Sequence, residues 1–166
     1  MIYEILENVF VHAAPLTKVA AEAASARDEM IGNTASDDVV ELHETLVHNR
    51  ARIERVQAIA ATLTLYKAKA AANLREAQAA YDDAYMSAAV KPQVGFSDYS
   101  TAKEKDSFYG SQIVGETMAV RKAENAFRDA EAVLDFVRVI LRGMEGTHRD
   151  TETRVRLISL RGPLDR

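Results

Sequence analysis

The sequence predicts an all-α protein: a long antiparallel helical hairpin of coiled-coil type, with an additional N-terminal helix and self-association. Three observations carry that expectation. Asp38 to Met86 holds no Gly and no Pro and is rich in Ala, Leu, Glu, Arg, Lys and Gln, the residues that lose least on entering a helix. Its apolar residues recur at alternating steps of three and four: Val39, Leu42, Leu46, Ile53, Val56, Ala60, Leu63, Ala70, Leu74, Ala77, Tyr81 and Ala84, the stripe of a coiled-coil seam. The 3 Pro and 7 Gly of the 166 residues sit at a few places, which punctuates the chain into a few long helices. At about 1.5 Å per residue the central helix is a rod of roughly 70 Å, and the rest of the chain is expected to cover it within one domain, residues 1–166.

Composition narrows the function classes. Apolar residues make up 48% of the chain, enough for a core, but Ala supplies much of that share and buries little area per residue. There is no Cys, so thiolate chemistry and disulfides are excluded. The start, Met1 to Asn8, carries Glu4 and Glu7 inside its apolar run and does not read as a signal peptide. No apolar run approaches the ~20 residues of a membrane span. The expected location is therefore the cytoplasm (the host cytoplasm if the chain is phage-encoded), with no membrane partner. The net charge of −4 argues against coating nucleic acid by overall charge, though not against a local basic patch.

The first helix is expected over residues 1–31, on the stripe Ile2, Leu6, Val9, Ala13, Leu16, Ala20, Ala23 and Arg27 with Phe10, Ala24 and Met30 beside it. Pro15 predicts a kink near Ala14–Pro15, and Gly32-Asn33 a stop. Ser36 followed by Asp37 and Asp38 suits a cap and an acidic first turn. The long helix covers 38–86. Asn49 and Lys67 are polar seam positions. Asn49 reads as a solvated or register-setting layer, and Lys67 as peripheral once the stripe rotates toward Tyr66. Residues 87–100 are the irregular stretch, with Lys91-Pro92, Val94-Gly95 and Ser97 to Ser100. Thr101 to Glu104 has capping-box spacing and opens the second long helix, 101–160; a break near Gly110 with restart at Ser111 is the competing reading. From Glu116 the stripe is Ala119, Ala123, Ala126, Phe127, Ala130, Leu134, Val137, Leu141, Met144, His148, Thr151, Val155 and Ile158. Gly143 and Gly146 either bend this helix or admit another chain, and Arg161-Gly162-Pro163 ends it.

Two helices of similar length joined by so short a loop fold back antiparallel. A two-helix hairpin has only a strip of core, so the first helix is expected to pack into the groove at one end, and a second copy to make a dimer or higher oligomer. The fold-back brings Arg50, Arg52 and Arg55 beside Arg138, Arg142, Arg149, Arg154, Arg156 and Arg161. Either Asn49 or, one heptad tighter, Leu42 faces His148. Glu41, Glu44, Glu54, Glu145, Asp150 and Glu152 share this end, so ordinary salt-bridged faces compete with a phosphate-binding surface of Arg50, Arg52, Arg55, Arg142 and Arg149. Such a surface would touch backbone phosphates rather than read bases. Phe96, Tyr99, Phe108 and Tyr109 either pack the loop onto the closed end or form a partner-docking knob.

No catalytic or cofactor signature is visible. His12, His43, His48 and His148 form no H-E-x-x-H pair. Glu145-x-x-His148 is a single Glu-x-x-His without the partner motif that a carboxylate di-metal bundle needs. No phosphate-cradling Gly loop and no Ser or Thr nucleophile signature is present. The expectation is a non-enzyme with no metal and no cofactor.

Leu65-Tyr66-Lys67-Ala68 with Leu74, Ala77, Tyr81 and Tyr85, then a loop, then Ala130-Glu131 with Leu134, Arg138, Leu141-Arg142, Glu145 and Arg149, resembles small all-helical hairpin proteins of bacteriophages, often encoded near recombination or replication genes. The resemblance covers about the last two-thirds of the chain and supplies no catalytic residues. It implies an accessory role in DNA recombination or replication, with single-stranded DNA or a recombination or replication protein as partner. The alternative is a coiled-coil interaction module that binds a host or virion protein without touching nucleic acid.

Overall fold

The structure, a computed structural model, describes residues 14–31, 38–90 and 101–161. Among these the chain forms four helices and no strand: α1 Ala14–Ile31, α2 Val39–Val90, α3 Ala102–Gln112 and α4 Val114–Arg161. The long helix α2 packs against α4, as the shared stripes predict. The described residues fall into two compact units, one up to Leu65 together with those from Glu131 onward, the other from Tyr66 to Ala130. The expected helix over Ile2 to Ala13, the Gly32-Asn33 stop and the Ser36 cap lie outside the described residues, and the Ala14–Pro15 kink falls at their edge.

The first unit is a three-helix arrangement. Leu16, Ala23, Ala26 and Met30 of α1, Leu42, Ile53, Val56 and Leu63 of α2, and Leu134, Val137, Ile140, Met144 and Val155 of α4 are buried. Met30, Leu42, Leu63, Leu134 and Met144 are almost wholly so, and each contributes about 1.5–3 kcal/mol by leaving water. Gln57 Nε2 donates to Glu145 Oε1 at 3.2 Å, and Arg50 shares a groove with Arg149 and Glu152. As numbering rises along α2 it falls along α4, so the two helices run antiparallel here. Gln57 opposite Glu145 sets a register near the wider of the two expected, the one with Asn49 facing His148, and far from a Leu42–His148 pairing. Asn49 itself is fully buried. The solvated reading of this layer is therefore excluded: Asn49 Oδ1 accepts from Arg52 Nη1 at 3.5 Å, and a polar side chain at such a seam position discriminates between registers.

α2 starts at Val39, one residue after the expected Asp38. Asp38 Oδ1 accepts from the Val40 backbone N–H at 2.8 Å, while the Asp38 carbonyl accepts from Leu42 N at 3.0 Å. A carboxylate one residue before the helix both satisfies an orphan donor and faces the positive end of the helix dipole. At the other end α2 continues to Val90, four residues beyond the expected Met86, because nothing in Ser87-Ala88-Ala89-Val90 breaks a helix. Within α1, Arg27 is exposed and pairs with Asp28. Ala26 takes the buried position beside it, since a guanidinium left unpaired in the core would cost far more than a methyl group gains.

In the second unit α2 meets α3 and the first part of α4. Ala70, Ala88, Ile113 and Ala130 are the buried apolar residues described there, with Leu74, Ala77, Tyr81, Ala84 and Phe127 half-buried; Ala119, assigned to the stripe, is exposed. Lys67 is no peripheral residue: its Nζ stands 5.3 Å from the Phe127 ring centroid, a cation–π contact that lets a charged side chain occupy a seam position. Thr101 forms the expected capping box, with Glu104 N donating to Thr101 Oγ1 at 3.2 Å and Thr101 N to Glu104 Oε2 at 2.9 Å. The expected single helix from 101 to 160 is interrupted, but at Ile113 (φ −119°, ψ 32°) and not at Gly110. Ile113 is 3% exposed, and its carbonyl accepts both the backbone N–H and the hydroxyl of Thr117 at 3.0 Å. The break thus falls at a buried residue, with Thr117 securing the next turn, while Gly110 stays inside the helix.

Candidate functional site

The arginines that the sequence groups together have three different fates. Arg52 Nε donates to Glu29 Oε2 at 3.2 Å, and Arg55 Nε to Glu22 Oε1 at 3.0 Å. Both acids lie on α1, so these two arginines fasten the N-terminal helix to α2. Arg50 Nε donates to Glu54 Oε1 one turn on, at 3.2 Å, with both side chains exposed. Arg142, Arg149 and Arg156 are exposed and have no hydrogen-bond or ion-pair partner among the described residues. Arg138 is paired with Asp135 at 3.4 Å.

Helix geometry explains this division. Positions 50 and 52, like 57 and 55, differ by two residues, or about 200° around the axis. Arg52 and Arg55 therefore face α1, while Arg50 and Gln57 face away from it. On that far side α2 and α4 border an open groove of about 440 Å³ lined by Arg50, Ile53, Glu54, Gln57, Glu145, His148, Arg149 and Glu152. Arg50 and Arg149, 99 residues apart in sequence, thus share one groove, whereas Arg52 and Arg55 lie on the other side of α2.

The groove carries three carboxylates against two guanidinium groups. Glu54 is engaged by Arg50 and Glu145 by Gln57. His148 Nε2 stands 3.8 Å from Glu152 Oε1, too long for a hydrogen bond. His148 Nδ1 is buried with no partner among the described residues, as is Asn49 Nδ2. Arg149 is the groove cation with no partner among the described residues. With Arg142 and Arg156 it forms a row at seven-residue spacing, each step about 10.5 Å along α4. That spacing is legible in the sequence, yet the expected contact residues of this helix are Arg142 and Arg149 without Arg156.

Phe108 and Tyr109 are half-buried in the second unit. Tyr109 meets Tyr85 edge-on at 5.7 Å and Phe108 at 6.2 Å, and Tyr85 stacks on Tyr81 at 6.3 Å. The Tyr85 hydroxyl donates to Asp106 Oδ1 at 2.9 Å, and this bond to a carboxylate holds the phenol above its ordinary value of 10.0. These contacts tie α3 to the end of α2. Phe96 and Tyr99 lie outside the described residues. Among the described residues no group of three His, Asp or Glu stands close enough to hold a metal ion, and no helix is long and apolar enough to cross a membrane. No protein-family model, curated protein or solved structure matches the chain.

Proposed function

We propose that this chain is a non-enzymatic, self-associating helical accessory protein of DNA recombination or replication, which holds single-stranded DNA through backbone phosphates. The contact surface is the α4 row Arg142, Arg149 and Arg156 with Arg50 across the groove; Arg52 and Arg55 serve α1 instead. The observation that carries the reading is this row of exposed guanidinium groups, evenly spaced and without partners among the described residues. Guanidinium is suited to phosphate by its planar fork. An even row on one rigid helix supplies charge at fixed intervals without reading bases. The resemblance to phage helical-hairpin proteins supports the choice of nucleic acid over other polyanions.

A second reading has an observation of its own. Three carboxylates share the groove, and Glu145 and Glu152 alternate with the arginines along α4, a pattern that equally suits a protein partner with complementary charges. Fluorescence anisotropy with a labelled single-stranded oligonucleotide at 50 and 200 mM salt separates the two. Binding that weakens steeply with salt and is lost on replacing Arg142, Arg149 and Arg156 by Gln supports the nucleic-acid reading. No binding at 50 mM salt favours the protein-only module.

A further inference from the structure

The outer face of α4 in the first unit points to a second copy of this chain. Phe136, Val139, Gly143, Gly146, Asp150, Thr153, Leu157 and Leu160 follow one another at steps of three and four. Each lies two residues, about 200°, from a member of the inward stripe, which comprises the buried Leu134, Val137, Met144, Thr151 and Val155 and the half-buried Leu141, His148 and Ile158. They are therefore a second heptad seam on the opposite face of the same helix. Its large apolar members are exposed: Phe136 46%, Val139 65%, Leu157 56% and Leu160 68%. A β-carbon added at Gly143 or Gly146 would meet nothing within 4 Å among the described residues. Packing among the described residues thus gives no reason for two glycines in mid-helix, each of which costs about 1 kcal/mol relative to Ala.

The order of sizes along this face is a palindrome. With an identical helix placed antiparallel about a twofold axis level with His148, Phe136 meets Leu160 of the second copy and Val139 meets Leu157. Gly143 meets Thr153, and Gly146 meets Asp150. Large apolar side chains meet at both ends and small ones in the middle, where backbones can approach. A heptad seam demands a helical partner, and a surface that complements itself about a twofold axis demands an identical one. At the centre, Asp150 of each copy stands within one turn of Arg149 of the other, which offsets the approach of the two Arg149 side chains that the same axis brings together. We infer that the chain pairs through this face as an antiparallel α4–α4 dimer. The pairing gathers the Arg142, Arg149 and Arg156 rows of both copies along one side of the seam. This consequence rests on the proposed nucleic-acid reading and doubles its contact surface; the pairing itself does not depend on it.

The chain has no Cys, so two single variants of the full chain, Val139→Cys and Leu157→Cys, report the register directly. Under mild oxidation an equimolar mixture is expected to give a disulfide-linked heterodimer, because the two positions face each other across the seam, while each variant alone remains largely uncrosslinked. Sedimentation equilibrium of the unmodified chain is expected to show twice the chain mass of 18.3 kDa, and Phe136→Glu with Leu157→Glu to return it to the chain mass with helical circular dichroism unchanged. Efficient crosslinking of either variant alone, a monomeric unmodified chain at tens of micromolar, or a dimer indifferent to the double Glu substitution overturns the inference. Oligonucleotide binding is read separately. Dimers that bind no DNA refute the nucleic-acid contact and leave the pairing intact, and monomers that bind DNA refute the pairing and leave the nucleic-acid contact intact.

Discussion

If the Arg142, Arg149 and Arg156 row binds single-stranded DNA, its loss must appear as a change in salt dependence and not only in affinity. One chain offers four guanidinium groups on this surface: the row itself and Arg50 across the groove. Each phosphate neutralised on a single strand contributes a slope of about −0.7 to log K against log salt, so four contacts give roughly −2.8 per chain. Between 50 and 200 mM salt, affinity should then fall about 50-fold. Replacing the three α4 arginines by Gln leaves Arg50 and a slope of about −0.7, a loss of only about threefold over the same range. Gln is preferred to Glu because it removes the contact without adding repulsion. All three side chains are exposed and make no ion pair among the described residues, so circular dichroism and thermal midpoint should not move. The companion variant, Arg52→Gln with Arg55→Gln, releases the α1 ion pairs. It is expected to lower stability by no more than about 2 kcal/mol, each surface pair contributing up to ~1, while the salt slope stays near its original value. Equal slopes for the unmodified chain and the triple variant, or a slope lost in the Arg52 and Arg55 variant instead, would refute the assignment of the contact to α4.

Three further outcomes follow from the packing. Leu134→Ala, at a side chain 1% exposed, should destabilise the chain by about 2–5 kcal/mol in urea titration, the transfer and cavity costs combined. Asn49→Leu replaces a buried amide whose Nδ2 has no partner among the described residues. It should raise stability by about 1–3 kcal/mol, the cost of an unsatisfied group, while admitting alternative registers, seen as broadened amide resonances. The Tyr85 phenol, held above 10.0 by its bond to the Asp106 carboxylate, favours the folded state while it is protonated. That contribution is complete below pH ~10 and is lost as pH rises through the elevated folded-state value. Absorbance at 295 nm should show one tyrosine ionising later than the rest, and Asp106→Asn should remove that late component.

Much of the fold is legible in the sequence because a coiled-coil seam is a one-dimensional code. Leu42, Ile53, Val56, Leu63, Ala70, Leu134, Val137, Met144 and Val155 are buried where the three-four spacing places them, and Thr101 with Glu104 forms its box from four consecutive residues. These outcomes depend on local geometry alone. The break at Ile113 was not legible in the same way. Glycine is the stronger local signal, yet the break stands at Ile113, a residue that tertiary packing buries.

The candidate site divides along the same line. The sequence placed arginines from the early part of α2 and the late part of α4 at the same end of an antiparallel pair, where Arg50 and Arg149 share a groove. It also held the seven-residue interval of Arg142, Arg149 and Arg156 and the palindrome from Phe136 to Leu160. Only tertiary structure decided that Arg52 and Arg55 are neutralised by Glu29 and Glu22, that Arg50 shares its groove with Arg149, and that Asn49 is sealed from water. The physical reason is rotational. Two residues turn a side chain through about 200°, so whether a charge meets a partner or the solvent depends on which face of α2 the helix α1 covers, and that choice belongs to packing.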